Sequence, residues 1–289
     1  SIYGEVFDMK GHKLTQDYLA AFCRHLREEE QSPGTQEKYS RDLRTFAAWL
    51  DGLDVTKEAV SAWKEHLSAE RYAPVTINSM LASVHAFLRY AGWDECRVRY
   101  LKLQRRLFRD DCRDLTREEY QRLLDTARSL GRERLLLVME AMGAAGIRVS
   151  EVKYITVEAA RTGRAEIPLK GKIRTILLPG KLCRKLLKYA RRKKIASGEI
   201  FLTKDGGSLS RKQIWAEMKA LCRRAGVEAT KVFPHNLRHL FARAFYRSCM
   251  DIAKLADVLG HSSIETTRIY MISTGAEHSR QLERLGLVS

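Results

Sequence analysis

Tyr270 closes the stretch LGHSSIETTRIY, residues 259 to 270, and its hydroxyl can act as a nucleophile if other parts of the chain supply groups that activate it. Read alone it is a half-buried aromatic, the common environment of this residue type. His261 stands nine positions earlier, and the Thr266-Thr267 pair between them argues against one uninterrupted helix. Upstream, Pro234 marks a helix start, where its missing N–H costs nothing. That helix is expected to set His235, Arg238 and His239 on one outward side and Leu237, Leu240, Phe241, Ala244 and Phe245 on a core-facing stripe. The trio reads as a basic surface for DNA or salt bridges. It also reads as a zinc pair, since His235 and His239 stand at i and i+4. HNLRH lacks a glutamate after its first histidine, and the intervening arginine opposes a bound cation.

Arg148 lies in AAGIRVSE just past Gly146, where a helical pattern is interrupted and a side chain can be aimed into a cleft. Glu151, three residues on, can hold it, although an Arg-Glu pair at this spacing is also an ordinary surface contact. Lys170 sits at the tip of a hairpin in LKGKIR, where Gly171 permits a tight turn. In a chain with 52 basic residues one loop lysine is unremarkable by itself, and Lys172 competes with it for any role.

The elements that carry these residues fall into two regions. Residues 13 to 104 read as all helical, with segments at 14–26, 35–50, 56–67 and 75–90. In the second of these Tyr39, Leu43, Phe46, Ala47 and Leu50 form one stripe at helical spacing. Residues 105 to 114 (RRLFRDDCRD) break the periodicity and read as a linker. From 115 to 289 the pattern is mixed. Thr116 and Glu119 form a capping box, a hydrophobic helix spans 134–142, and the runs 165–169 and 175–178 make a hairpin around the polar turn KGKIR. Helices resume at 181–196, 210–225 and from 234 onward. The fold class is therefore mainly α with a small β-sheet, α+β, in two domains.

Charge indicates the partner. Lys plus Arg number 52 against 35 for Asp plus Glu, a net +17 that suits a polyanion. Residues 1–109 hold 17 basic and 15 acidic side chains, so 35 − 20 = +15 of the total lies beyond them. The run Arg191-Arg192-Lys193-Lys194 closes an amphipathic helix and reads as a solvated face or a phosphate contact. A membrane role would want a basic amphipathic helix with a strongly apolar face at one terminus, or a spanning run of about 20 apolar residues, and neither is found. No signal peptide is visible, and six scattered cysteines without CxxC spacing fit reduced thiols in a cytoplasmic protein.

Taken in order, GIRVSE, LKGKIR, FPHNLRHLFA and LGHSSIETTRIY resemble the tyrosine recombinase (integrase) family. SPGTQEKYSRDLRTFAAWL and APVTINSMLASVHAFLRYAGW look like the helical core-binding domain of Xer-type recombinases, so the resemblance covers residues 14 to 275. It implies a C-shaped clamp on double-stranded DNA, with the catalytic domain at 115–289. It also implies a site made by Arg148, Lys170, His235, Arg238, His261 and Tyr270. Tyr270 would attack the scissile phosphate, giving a 3′-phosphotyrosine and a free 5′-hydroxyl without ATP. Arg148 and Arg238 would bind the non-bridging oxygens, being planar, permanently charged donors. Lys170, or Lys172, would protonate the leaving oxygen; His235 would take the tyrosine proton; His261 would hydrogen-bond the phosphate. No metal or other cofactor is required.

The same resemblance implies four protomers on two sites, a Holliday junction, a C-terminal tail docked on a neighbouring protomer, and a nucleoid-associated protein with accessory or partner recombinases in some systems. The segment EVKYITVEAARTGRAEIPL departs from the family pattern after Arg148 and shortens the expected sheet. Residues 1–12 are too few for a further DNA-binding domain, so either the protein is of the simple Xer kind or an arm-binding domain precedes it. Two other readings remain: a DNA-binding regulator that keeps the fold without catalysis, and a type IB topoisomerase.

Overall fold

The computed structural model describes residues 11–103, 113–169, 171–272 and 275–287, with the side chains of 169, 172, 275 and 276 outside the description. Most of the linker expected at 105–114, and Lys170, lie outside the described residues. The chain divides into two units, residues 1–105 and 106–289.

In the first unit local sequence sets each helix start. Thr15 caps α1 (Gln16–Glu28), Ser32 and Pro33 open α2 (Pro33–Leu50), Thr56 caps α3 (Lys57–Ala69), and Pro74 opens α4 (Pro74–Ala91). The threonine and serine hydroxyls accept from backbone N–H groups that have no partner within the helix. The stripe expected on α2 packs inward through Leu43, Phe46 and Leu50, while Tyr39 and Ala47 are half-buried at its edge. Trp63, Phe22 and Phe87 complete the core, the last two edge to face at 5.5 Å. Burial of each such side chain contributes about 1.5–3 kcal/mol. The buried Asp42 carboxylate is matched by Lys38 at 2.8 Å and Ser83 at 2.7 Å.

The second unit is built on a central helix. Thr116 and Glu119 form the expected capping box of α5 (Arg117–Ser129), and α6 (Glu133–Ala145) follows. Leu135 to Met139, Ala141 and Met142 are all buried, as a helix that is apolar all round requires. Gly146 ends α6 at φ 65°, and a Cβ there would strike the Phe241 ring. A 3₁₀ turn (Val149–Tyr154) and the short α7 (Val157–Thr162) lead into β1 (Arg164–Leu169), paired antiparallel with β2 (Lys172–Leu177) in the register Arg164↔Leu177 to Leu169↔Lys172.

The hairpin differs from expectation in one respect that matters. Lys172, Ile173 and Arg174, read from sequence as turn, belong to β2. Strand alternation then puts Arg174 and Ile176 on the covered face beside Ile167, while Ile173 and Leu177 are exposed.

The remaining elements are α8 (Gly180–Arg192), α9 (Arg211–Lys219), α10 (Cys222–Ala225), α11 (Pro234–Cys249), α12 (Ile252–Leu259), α13 (Ile264–Met271) and α14 (Gly275–Arg284). The helix expected over 210–225 is broken at Ala220-Leu221. α6 packs against both α11 and α8. The architecture is mainly helical with one two-stranded sheet among the described residues. No described helix is long and apolar enough to cross a membrane.

Candidate active site

Four elements bring the chemistry together: the turn after α6, α11, the turn after α12, and α13. Arg148 leaves α6 immediately beyond Gly146, and Glu151 grips it twice. One carboxylate oxygen accepts from the Arg148 backbone N–H at 2.7 Å and the other from its guanidinium at 2.8 Å. The same second oxygen accepts from Arg174 of β2, also at 2.8 Å. Glu151 is only 4% exposed, so the pairing with two guanidiniums offsets the cost of burying its charge.

Arg238 comes from the first turns of α11 and is 2% exposed. It donates to the Gly146 carbonyl, to the Leu259 carbonyl at 2.7 Å, and to His261 Nε2 at 3.1 Å. It thereby ties α6 and α12 together. Since arginine only donates, His261 Nε2 must accept, which leaves the proton on Nδ1, 2.9 Å from the Thr267 hydroxyl. His261 is held neutral. Burial first, then the charges of Arg238, Arg148 and Arg174, push its pKa down to about 4.

Tyr270 lies in the last turn of α13 and is 6% exposed. Its ring is surrounded by three imidazoles, His235 at 5.4 Å, His239 at 5.1 Å and His261 at 5.7 Å between centroids. His239 Nε2 donates to the Tyr270 carbonyl at 3.2 Å. His235 stays exposed at the mouth of a cleft of about 1020 Å³, lined by Arg148, His235, Arg238 and Tyr270 together with Lys212 and Trp215. Partial desolvation of the ring against the cleft wall lowers the His235 pKa, with His239, Arg238 and Arg148 acting in the same direction. A neutral imidazole next to a tyrosine ring in one cleft can serve as a proton acceptor.

Several expectations change here. α11 does not present its basic trio outward: Arg238 and His239 are buried and only His235 is exposed, because α12 and α13 pack over this face. Ala244, expected on the core stripe, is exposed instead, while Leu240 and Phe241 are half-buried. His239 points to the Tyr270 backbone and to Asp114, 3.5 Å from Nδ1, an arrangement of structural support and not of metal ligation. Both ring nitrogens of His261 are engaged, Nε2 by Arg238 and Nδ1 by Thr267, and the direct hydrogen bond to a phosphate expected of it would need one of them released. Arg148, Glu151, His235, Arg238, His261 and Tyr270 are brought together; Lys170 and the Lys172 side chain lie outside the described residues.

Sequence reasoning missed Arg174 and Thr267. For Arg174 the signal was present in IRTI, whose alternation puts Arg174 and Ile176 on one face of a strand.

Among the described residues no carboxylate pairs with the buried Arg238: its donors go to two carbonyls, an imidazole and the Tyr270 side chain, and with Arg148 it lines one cleft with the tyrosine. This arrangement favours an anion presented to the hydroxyl. Two family descriptions match the chain, the phage integrase family over residues 113–277 and the phage integrase N-terminal SAM-like domain over residues 19–95. The chain belongs to the phage integrase family, the tyrosine recombinases.

Other members of the family match along nearly their full length. Tyrosine recombinase XerA of Pyrococcus furiosus is 29% identical over 97% of this chain and 98% of its own. XerA of Thermococcus kodakarensis is 30% identical over 92% and 94%. The fold is shared with solved family structures. A lambda integrase dimer bound to a core site superposes with TM-score 0.70 at 18% identity, covering 89% of this chain and 95% of that one. XerH bound to its difH substrate before cleavage gives 0.67 at 17%, covering 92% and 84%. A lambda integrase tetramer on a Holliday junction gives 0.68 at 18%, covering 90% and 78%.

Proposed function

We infer that this tyrosine recombinase is a site-specific enzyme that cleaves and rejoins double-stranded DNA through a 3′-phosphotyrosyl intermediate. The observation that carries the reading is the convergence of Arg148, Arg238, His235 and Tyr270 on one cleft. Tyr270 Oη attacks the scissile phosphorus as His235 takes its proton, and the bond from phosphorus to the 5′-oxygen breaks. Lys170 gives a proton to that oxygen, with Lys172 the alternative donor. Arg148 and Arg238 hold the non-bridging oxygens as charge builds on them. Reversal by a different 5′-hydroxyl joins exchanged strands, and the phosphotyrosine conserves the bond energy, so no nucleotide cofactor is spent.

The two units are proposed to grip one duplex, and four protomers to join two sites; a lambda integrase tetramer bound to a Holliday junction shares the fold. α14 exposes Leu282, and Leu285 and Leu287 beyond it are exposed too; this apolar edge suits docking on a neighbouring protomer. Removing residues 277–289 is expected to preserve single-site binding and weaken assembly, and unchanged recombination by the truncated protein would defeat that part.

The central test is a suicide duplex carrying a nick beside the scissile phosphate. A covalent adduct mapped to Tyr270 supports the enzyme over a silent DNA-binding regulator. Junction formation between two sites separates recombination from type IB relaxation. Absence of any adduct over a panel of family core sites and genomic fragments would overturn the reading.

A further inference from the structure

Arg174 is more deeply placed than a hairpin arginine has any structural reason to be. It is 8% exposed on the covered face of β2, opposite Ile167. Its NH1 donates to Glu151 at 2.8 Å, yet its Nε and NH2 are buried without a hydrogen-bond partner among the described residues. An apolar side chain would fill this space without the desolvation that two orphaned donors cost. The charge is nonetheless kept: burial lowers the pKa only to about 10, so the guanidinium is protonated at neutral pH.

Three parts of the site meet at this side chain. Glu151 Oε1 is shared between Arg174 and Arg148, so the carboxylate ties the hairpin to the phosphate-facing arginine, which keeps its own two bonds to Glu151 whether or not Arg174 is there. The Arg174 stem lies against Gly260, the residue before His261. Gly260 adopts φ 66°, and a Cβ there would run into Arg174 Cδ and lie 2.7 Å from its Nε. Lys172 opens β2 two residues before Arg174, and Lys170 stands four residues before it in sequence. At about 3.3 Å per residue, the start of the strand is about 7 Å away.

We propose that Arg174 is a positioning residue that anchors the lysine-bearing hairpin to the Glu151-Arg148 pair and to the Gly260-His261 turn, holding the general acid in register with the phosphate clamp. This rests on the recombinase reading of the site and adds a residue to it. The hairpin has no other polar tie to Glu151 among the described contacts. Without Arg174 the lysine would sample positions from which it cannot reach the leaving oxygen, while Arg148, Arg238 and Tyr270 would remain in place.

The test uses the full chain and two core duplexes, one with the ordinary 5′-oxygen at the scissile bond and one with a bridging sulfur, whose thiolate leaves without an acid. Arg174→Met is expected to cleave the oxygen substrate about 100-fold more slowly than the parent, within the range that acid catalysis supplies. It should cleave the sulfur substrate within a few-fold of the parent. Arg174→Lys, which keeps a donor for Glu151, should recover part of the loss on oxygen. Equal slowing on both substrates, or no slowing on oxygen, would overturn the proposal. Should Arg174→Met fail to fold by circular dichroism, Arg174→Lys and Arg174→Gln are judged on the same oxygen-to-sulfur comparison. Lys170→Ala and Lys172→Ala on the two duplexes show which lysine is the acid. The parent's Tyr270 adduct tests the recombinase reading separately, since the Arg174 result is a ratio to that parent.

Discussion

His261 lies against Tyr270 with ring centroids 5.7 Å apart and planes inclined by 18°, while its two nitrogens are held by Arg238 and Thr267. The stacked imidazole therefore locates the tyrosine ring and the guanidinium together. In the proposed mechanism proton transfer from Tyr270 falls to His235, which lines the cleft.

This neutral network makes the protein acid-sensitive in a definite window. The folded pKa of His261 is about 4 against 6.5 for the free side chain. Above pH 6.5 neither folded nor unfolded chain is protonated there and the contribution is intact. As pH falls from 6.5 towards 4 the unfolded chain binds a proton that the folded one resists, so stability drops; below 4 it drops no further. His85 has the same direction and range, its Nε2 accepting from the Val98 N–H at 3.4 Å. Urea denaturation is expected to show a loss between pH 7 and 5 that His261→Asn reduces by on the order of 1 kcal/mol after solvent screening. An unchanged slope in that variant would contradict the assignment.

Arg148 and Arg238 should separate stability from catalysis. Arg238→Ala leaves the Gly146 and Leu259 carbonyls without their donor in a buried site, and a cost of about 2–4 kcal/mol is expected in thermal melting. Arg148 is 35% exposed, and Glu151 keeps Arg174 when it is removed. Arg148→Ala should thus melt within about 1 kcal/mol of the parent yet form adduct about 10²–10³-fold more slowly.

Gly260→Ala tests the tight turn before His261. A side chain at φ 66° is strained, and its Cβ would also displace Arg174. A destabilisation of about 1–3 kcal/mol is expected, together with slowed cleavage of an oxygen-bridged substrate. Gly52→Ala shares the positive φ but has open space, so it should cost less and leave cleavage untouched.

Tyr270→Phe should abolish the covalent adduct and leave the fold intact. The tie from His239 goes to the Tyr270 backbone carbonyl, which phenylalanine retains, and the ring still packs among the three histidines. Melting should change by less than about 1 kcal/mol. Persistent adduct in this variant would place the nucleophile elsewhere.

Much of the molecule was legible because it is local. The helix starts at Pro74 and Thr116 are read from local capping chemistry and the stripe of α2 from its period, while α2 opens at Pro33, two residues before the expected start, because Ser32 caps it. The Arg148-Glu151 pair is likewise a contact across three residues. The facing of α11 was not legible. His235, Arg238 and His239 make as plausible an outer surface as an inner one until α12 and α13 are laid over them.

The order and residue types of Arg148, His235, Arg238, His261 and Tyr270 are properties of the linear chain, and with them the family and its chemistry. Only the tertiary structure decided which nitrogen of His261 carries the proton, that His239 supports the Tyr270 backbone, and that Arg174 belongs to the site. Those outcomes depend on contacts between residues 23 to 31 positions apart in sequence. They are set by which faces of β2, α11 and α13 the packing covers, because a buried guanidinium or imidazole must take whatever partners the neighbouring elements bring within hydrogen-bond reach.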